Sequence, residues 1–164
     1  MKAIEILKHR NDFVFLIVGS GREEGRVSRL VLDNGLENHV KLLGRFPVEY
    51  MPSFYHFADA LLLPLAEDPL FEITLPGKTQ SYLYAGRPVI GFLDGEGASV
   101  LRSSKSGFVC NAGNSIELAN VIETVCDSNQ SEIDELGLSA RRYAEEHFLM
   151  ESVMATLFEV CGLP

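Results

Sequence analysis

Short apolar segments alternate with longer helix-patterned segments along most of this chain of 164 residues. The apolar segments are too short for ordinary helices, and most are apolar on both faces, which is typical of the buried strands of a parallel sheet. The pattern therefore predicts five strands, within residues 13–19, 39–45, 59–65, 87–93 and 107–111.

Helix patterns fill the intervals between these segments, and two more follow the last strand. We expect helices near 22–34, 47–57, 75–85, 96–104, 114–127, 131–147 and 148–161. Alternation of this kind predicts a Rossmann-like α/β fold, in which one doubly wound parallel sheet is covered by helices on both faces. Residues 1–164 contain no internal repeat or linker, so they are interpreted as a single domain with extra C-terminal helices.

The two ends of the sequence do not fit a self-contained domain. The chain opens on a helix with Ile4 and Leu7 on one face, whereas a β-α-β architecture would place a strand before that helix. We therefore expect that a first strand is missing. The last helix has an apolar face, which is typical of packing against a neighbouring domain.

Composition and charge limit the classes of partner. Asp and Glu outnumber Lys and Arg by 23 to 14, the net charge is −9, and no basic block occurs, so a nucleic acid partner is not expected. Three widely spaced cysteines are interpreted as structural thiols of a reducing compartment. No run approaches the roughly 20 apolar residues that span a bilayer. We expect a cytoplasmic protein that reaches the inner face of the membrane only through a missing domain.

Four loops are predicted at the carboxyl ends of the strands, where open parallel sheets bind ligands. Residues 19–21 are either only a tight strand-to-helix turn, or a turn whose backbone comes close to a phosphate or sugar of a ligand. Arg45 either contacts a phosphate or a base edge of a ligand, or is a surface cation that balances the charge of Glu49. Residues 94–97 are either a capped turn or part of a site, and residues 66–78 form the fourth loop.

The loop at 66–78 and the helix that follows it carry the clearest candidate chemistry. Thr74 is the predicted N-cap of this helix. Gly77 allows close backbone approach, and Lys78, Ser81 and Tyr82 share one helix face. The pattern favours a pyrophosphate site, and the alternative is a solvated lysine beside a buried tyrosine. The four histidines have neither triad nor metal-ligand spacing, so neither nucleophilic catalysis nor a metal cofactor is predicted.

Four segments of the chain share the order and spacing of a known family. They are FLIVGSG, HVKLLGRFPVEYMPSFYHFADALLLPL, PGKTQSYLYAGRPVIG and GEGASVLRSSKSGFVCNAGNSIELANVI. In these segments the chain resembles the C-terminal domain of retaining GT-B glycosyltransferases of the group 1, or family 4, type. The form K-x-Q-S-Y-L is similar to bacterial surface-polysaccharide transferases that use UDP-amino sugars.

The resemblance implies a domain that binds a nucleoside diphosphate sugar, and a UDP-linked donor is expected. It implies transfer of a hexosyl or N-acetylhexosaminyl group without a metal, in bacterial polysaccharide or glycolipid synthesis. The acceptor would be held by an N-terminal domain that this sequence lacks, and the isolated chain is expected to be inactive.

The resemblance also implies roles for individual residues. One turn would border the donor, a second segment would lie against the base, and the helix start would meet sugar and diphosphate, with Lys78 and Glu72 as catalytic candidates. The turn beside the donor comprises Gly19, Ser20 and Gly21. The segment against the base comprises Leu43, Gly44, Arg45 and Phe46. The helix start that meets sugar and diphosphate comprises Glu72, Gly77, Lys78 and Thr79.

The chain departs from the family pattern at two glutamates. Aligned on residues 85–88, Ser81 stands at the second glutamate and Ile73 at the first, and Glu72 replaces the first after a slip of one residue. A carboxylate accepts from both ribose hydroxyls at once, and a serine does not. Two alternatives therefore stay open: a non-catalytic binding module that kept the fold, and a nucleotide-sugar epimerase, which would need a histidine and glutamates in the cleft.

Overall fold

A computed structural model describes residues 1–162 and has the predicted α/β class. The strands are β1 (Phe15–Val18), β2 (Val40–Gly44), β3 (Leu61–Pro64), β4 (Val89–Phe92) and β5 (Gly107–Cys110). The helices are α1 (Lys2–Ile6), α2 (Glu24–Asp33), α3 (Met51–Phe57), α4 (Pro69–Glu72), α5 (Lys78–Tyr84), α6 (Gly95–Ser104), α7 (Ser115–Asp127), α8 (Gln130–His147) and α9 (Met150–Cys161), and a 3-10 turn at Val48–Tyr50 precedes α3.

The five strands form two parallel sheets. β1 pairs with β2, and β3, β4 and β5 pair in that order. The α/β class and the five parallel strands are confirmed, whereas the hydrogen bonds divide the strands into two sheets instead of the single predicted sheet. The strands are divided because, within residues 1–162, no strand is hydrogen-bonded to both β1 and β3.

The three-stranded sheet is covered on both faces. One face packs under α5, α6 and α8, with a fully buried cluster built around Leu63, Leu83, Val89 and Leu101. The other face packs under α1 and α7. This layering is the reason that segments apolar on both sides form the strands.

Helix α1 connects the two sheets. Ala3 and Leu7 belong to the buried cluster that includes Ile90 of β4. Ile4, the residue next to Ala3, packs with Val40 of β2 instead. One short helix therefore contributes to two cores.

The segment before α5 differs from the prediction. Thr74 is not the N-cap of α5, because the backbone first forms the short helix α4, whose N-cap Asp68 accepts a hydrogen bond from the amide of Leu70 at 2.8 Å. Thr74 follows α4, and its hydroxyl donates to the carbonyl of Phe71 at 3.2 Å. Helix α5 begins four residues later, after Gly77. Aspartate preceding a proline was the stronger start signal.

The terminal helix α9 contacts α8 and has an exposed apolar surface. Met150, Val153 and Leu157 are among its exposed side chains. The prediction that this helix packs on a neighbouring domain stays a prediction.

Candidate functional site

The loops after β1 and β2 are joined by their backbones. The amide of Gly19 donates to the carbonyl of Gly44 at 2.7 Å. Both glycines have positive φ, 126° and 70°, which side chains disfavour. The predicted donor turn and the predicted base-contacting segment therefore lie side by side.

The side chains of the same two loops are also in contact. Nε of Arg45 donates to the hydroxyl of Ser20. Within residues 1–162 no ion pair links Arg45 to Glu49, so the alternative role for Arg45 is not supported there. Its guanidinium is exposed, and the two terminal nitrogens are available to a planar or anionic ligand.

An aromatic cluster follows Arg45. The exposed ring of Phe46 lies edge-on to Phe54 of α3, with ring centroids 4.9 Å apart, and 6.3 Å from the ring of Tyr50. Leu43, at the end of β2, is also exposed. Such a surface is suited to stacking against a flat ring.

The loop at 66–78 packs closely against the loop after β4. Gly95 has a φ of 65°, and a Cβ at that position would lie 1.9 Å from the carbonyl oxygen of Glu72. Pro76 packs against Gly97, because a Cβ built at residue 97 would lie 3.2 Å from Cδ of Pro76. The backbone at Glu72 is thus fixed by a glycine, whereas its side chain is exposed.

The loop after β5 completes this group. The carboxylate of Asp94 accepts a hydrogen bond from the amide of Ala112 at 3.2 Å. The side chain of Glu67 lies against Gly113. The loops after β3, β4 and β5 therefore support one another at one edge of their sheet.

Helix α5 separates its predicted site residues between two faces. Lys78 and Ser81 are exposed on one face. Thr79 and Leu83 are fully buried on another, and the hydroxyl of Thr79 has no hydrogen-bond partner. Thr79 therefore lies in the core in this arrangement, and its expected contact with the donor stays a prediction. The α5 periodicity alone predicts this burial, since 79 and 83 are one turn apart.

Tyr82 belongs partly to the core. Its ring lies edge-on to Tyr55 of α3 at 5.3 Å. Burial, and then the neighbouring Tyr55, raise the pKa of Tyr82 above its ordinary value. Tyr82 thereby joins α5 to α3 beside the exposed Lys78 face.

The candidate residues fall into two groups. Gly19, Ser20, Gly44, Arg45 and Phe46 lie together on the β1–β2 side, with Leu43 and the exposed Gly21 next to them. Glu72, Gly77, Lys78, Ser81 and Tyr82 lie on the β3–β5 side. Within residues 1–162 no hydrogen bond or ion pair joins the two groups.

The sequence left two supporting positions unassigned. The sequence pattern indicates Gly95 only as part of a capped turn or site loop, and it does not distinguish Tyr55 from other aromatic residues. The D-G-E-G spacing and the aromatic run at 46–57 were the available signals.

His39, which precedes β2, and His56 of α3 lie away from these loops. The ring Nε2 of His39 lies 2.7 Å from the carbonyl of Arg10, before β2 begins. The carbonyl of His56 accepts from Arg87, before β4 begins. Among residues 1–162 no cluster of three metal-ligating side chains occurs, and no helix has both the length and the apolar character to cross a membrane.

Parallel strands, helices on both faces and candidate loops at the carboxyl ends define a Rossmann-like α/β protein. A family model described as glycosyl transferases group 1 matches residues 1–128 of the 164. The chain belongs to this family.

Named relatives are consistent with this assignment. The chain is 25% identical over 142 residues to 2-deoxystreptamine glucosyltransferase of Streptomyces kanamyceticus, covering 87% of this chain and 35% of that protein. It is 26% identical over 163 residues to the amylovoran biosynthesis glycosyltransferase AmsK of Erwinia amylovora, covering 98% of this chain and 40% of that protein. The chain therefore spans less than half the length of these relatives.

A solved structure shows the same fold. HepE of Anabaena, in complex with UDP and glucose, superposes with a TM-score of 0.77 at 22% identity, over 98% of this chain and 43% of that chain. At this identity the similarity concerns the fold.

Proposed function

We propose that this chain is the donor-binding part of a retaining glycosyltransferase. It holds a nucleoside diphosphate sugar while a second domain holds the acceptor. The observation that carries the proposal is the exposure of two cations, Arg45 and Lys78, at the carboxyl ends of the strands of a chain whose net charge is −9. Exposed cations at this edge suit a diphosphate.

The proposed contacts follow the two groups of residues. Phe46 and Leu43 provide an apolar surface for the base, and the turn at 19–21 borders the donor. Ser81, which aligns with the second glutamate of the family pattern, is the candidate ribose contact. Lys78 stabilises the negative charge that grows on the diphosphate as its bond to the sugar breaks.

A UDP-linked donor is the specific form of this proposal. The HepE complexes contain UDP, UDP with glucose, and UDP-glucose. The name of the AmsK relative refers to synthesis of a bacterial polysaccharide. We infer hexosyl or N-acetylhexosaminyl transfer in the same kind of pathway, without a metal, with Glu72 as the carboxylate nearest the sugar.

Calorimetric titration of the folded chain with UDP, UDP-N-acetylglucosamine and GDP tests this proposal. We expect the UDP compounds to bind. Lys78→Ala should weaken their binding about 10- to 100-fold, because a hydrogen bond to a charged group contributes about 1.5–3 kcal/mol. Arg142→Ala, which removes an exposed cation of α8, is the matched control and should leave affinity unchanged.

Two results would contradict parts of the proposal. Absence of heat at millimolar concentration for all three compounds would favour the non-catalytic module over a donor site. Binding that Lys78→Ala leaves unchanged would remove Lys78 from the site.

The nucleotide-sugar epimerase would need a histidine in the cleft. No histidine of residues 1–162 lies in the candidate loops, so no observation favours the epimerase.

A further inference from the structure

The two groups of candidate residues lie on different sheets, although one donor is proposed to contact both. Within residues 1–162 no strand is hydrogen-bonded to both β1 and β3, so strand pairing does not fix the distance between the groups. Helix α1 contributes to the cores of both sheets, but none of its residues belongs to either group. The position of Phe46 relative to Lys78 therefore depends on packing between side chains.

Helix α3 carries two aromatic contacts that connect the groups. Its residue Phe54 packs edge-on against Phe46, with ring centroids 4.9 Å apart and ring planes at 75°. The next residue, Tyr55, packs edge-on against Tyr82 of α5, at 5.3 Å and 73°. Both geometries are those of favourable T-shaped aromatic pairs. Two adjacent residues of α3 therefore connect Phe46 to α5.

Tyr82 extends this connection to the exposed face of α5. It lies one helical turn after Lys78 and directly follows Ser81. Its ring also packs against the buried cluster that includes Leu83. Burial raises the pKa of Tyr55, and burial and then the neighbouring Tyr55 raise the pKa of Tyr82, in agreement with a close pair. Tyr82 thus joins the core, Tyr55 and the Lys78 face.

Helix α3 is held by contacts at its surface rather than by a buried core. No residue of Met51–Phe57 is fully buried, and Phe57 is 83% exposed. The carbonyl of His56 accepts a hydrogen bond from Arg87, in the turn that follows α5. The contacts of Tyr55 and His56 both lead to α5 or to this turn, so the position of α3 depends on that of α5.

We propose that Tyr55 and Tyr82 are positioning residues that fix the separation between Phe46 and Lys78 for a ligand that contacts both. This inference rests on the proposed function, in which the base lies on Phe46 and the diphosphate lies at Lys78. A nucleoside diphosphate gains affinity from this arrangement, because the free protein already holds both contacts at the required separation. A ligand that contacts only one of them gains nothing from the pair.

Calorimetric titration with UDP tests the pair, since UDP contacts both groups in the proposed arrangement. Tyr55→Leu and Tyr82→Leu should each weaken UDP binding about 5- to 10-fold, in line with the strength of an edge-on aromatic pair. The double variant should bind UDP as the single variants do, because both changes remove the same contact. Tyr82→Phe keeps the ring and should bind UDP like the unsubstituted chain.

Two controls separate positioning from general damage. Tyr84→Leu removes another tyrosine of α5, whose ring centroid lies 4.3 Å from the guanidinium of Arg141, and should leave UDP binding unchanged. Uracil contacts only the Phe46 side in the proposed arrangement, so its binding, followed by saturation-transfer difference NMR, should be equal in all variants. Urea denaturation verifies that each variant is folded. Tyr55→Leu breaks the same pair if Tyr82→Leu does not fold.

Four results would overturn the inference. UDP affinity that Tyr55→Leu leaves unchanged would remove the pair from the site, while the proposed function would stand. Losses that add in the double variant would show that the two rings act separately. An equal loss for uracil and UDP would place the damage at Phe46 itself. Absence of UDP binding by the unsubstituted chain would overturn the proposed function and this inference with it.

Discussion

The two-stranded and three-stranded parts of the molecule are covered very differently. Strands β3 to β5 have helices on both faces and a continuous buried cluster around Leu63 and Leu83. Strand β1 exposes apolar side chains, and the small core beside it depends on Ile4 of α1. Both parts carry candidate site loops, so half of the proposed site rests on the less buried scaffold.

The largest difference is expected from matched leucine substitutions in the two sheets. Leu63→Ala in β3 should lower the free energy of unfolding by about 2–5 kcal/mol, because it leaves a cavity in a closed core. Leu16→Ala in β1 should cost less than about 1 kcal/mol, because that side chain is already half exposed. Urea denaturation measures both values. Equal costs would show that β1 is buried in solution and would remove the contrast.

A smaller effect is expected where the loops of the three-stranded part meet. Gly95→Ala places a methyl group against the carbonyl of Glu72, in a left-handed backbone that costs a non-glycine residue about 1–2 kcal/mol. We expect lower stability and weaker binding of UDP-N-acetylglucosamine by calorimetry, because the backbone at Glu72 must move.

Gly21→Ala is the matched control on the other side. Nothing lies within 4 Å of the added methyl group, and φ at Gly21 is not positive. Its stability should be unchanged. Equal loss of stability in both variants would contradict the close packing at Gly95.

The smallest effect concerns the attachment of α1 to the three-stranded part. The guanidinium of Arg10 bonds Asp12 at 2.6 Å and Asp127 at the end of α7 at 2.7 Å. Its hydrogen bond to Asp12 holds the pKa of that carboxyl below the usual value. A lowered folded-state pKa contributes stability above the unfolded value of about 4, and that stability is lost as pH falls through the folded value.

Asp12→Asn should therefore flatten the decline of stability on the acid side, in urea titrations at successive pH values from neutral to about 3. Asp33→Asn, at the exposed end of α2, serves as control because Asp33 makes no ion pair within residues 1–162. An unchanged acid profile for Asp12→Asn would show that Arg10 does not hold this contact in solution.

The strands and most helices could be predicted because their signals are local. Each predicted apolar segment contains one strand, and Gly86, with a φ of 68°, follows the C-cap Ala85 of α5. Helix α4 was missed because it has only four residues, and a periodicity needs more than one turn to be visible.

The candidate site was predicted less completely. Its loops follow from the rule that ligands bind at the carboxyl ends of parallel strands, and the family assignment is confirmed. Contacts between loops far apart in sequence, such as Ser20 with Arg45 and Glu72 with Gly95, leave no spacing signal. The roles of the individual residues in donor binding stay predictions.

By itself, the sequence determined the α/β class, the parallel strands and the group of loops that face one edge. Hydrophobic periodicity and glycine positions encode these features within a few residues. Only the tertiary structure decided that Thr79 is buried, that Arg45 bonds Ser20, and that the sheet is divided between β1 and β3. Packing and strand pairing join residues that are distant along the chain, so they depend on which neighbours are present.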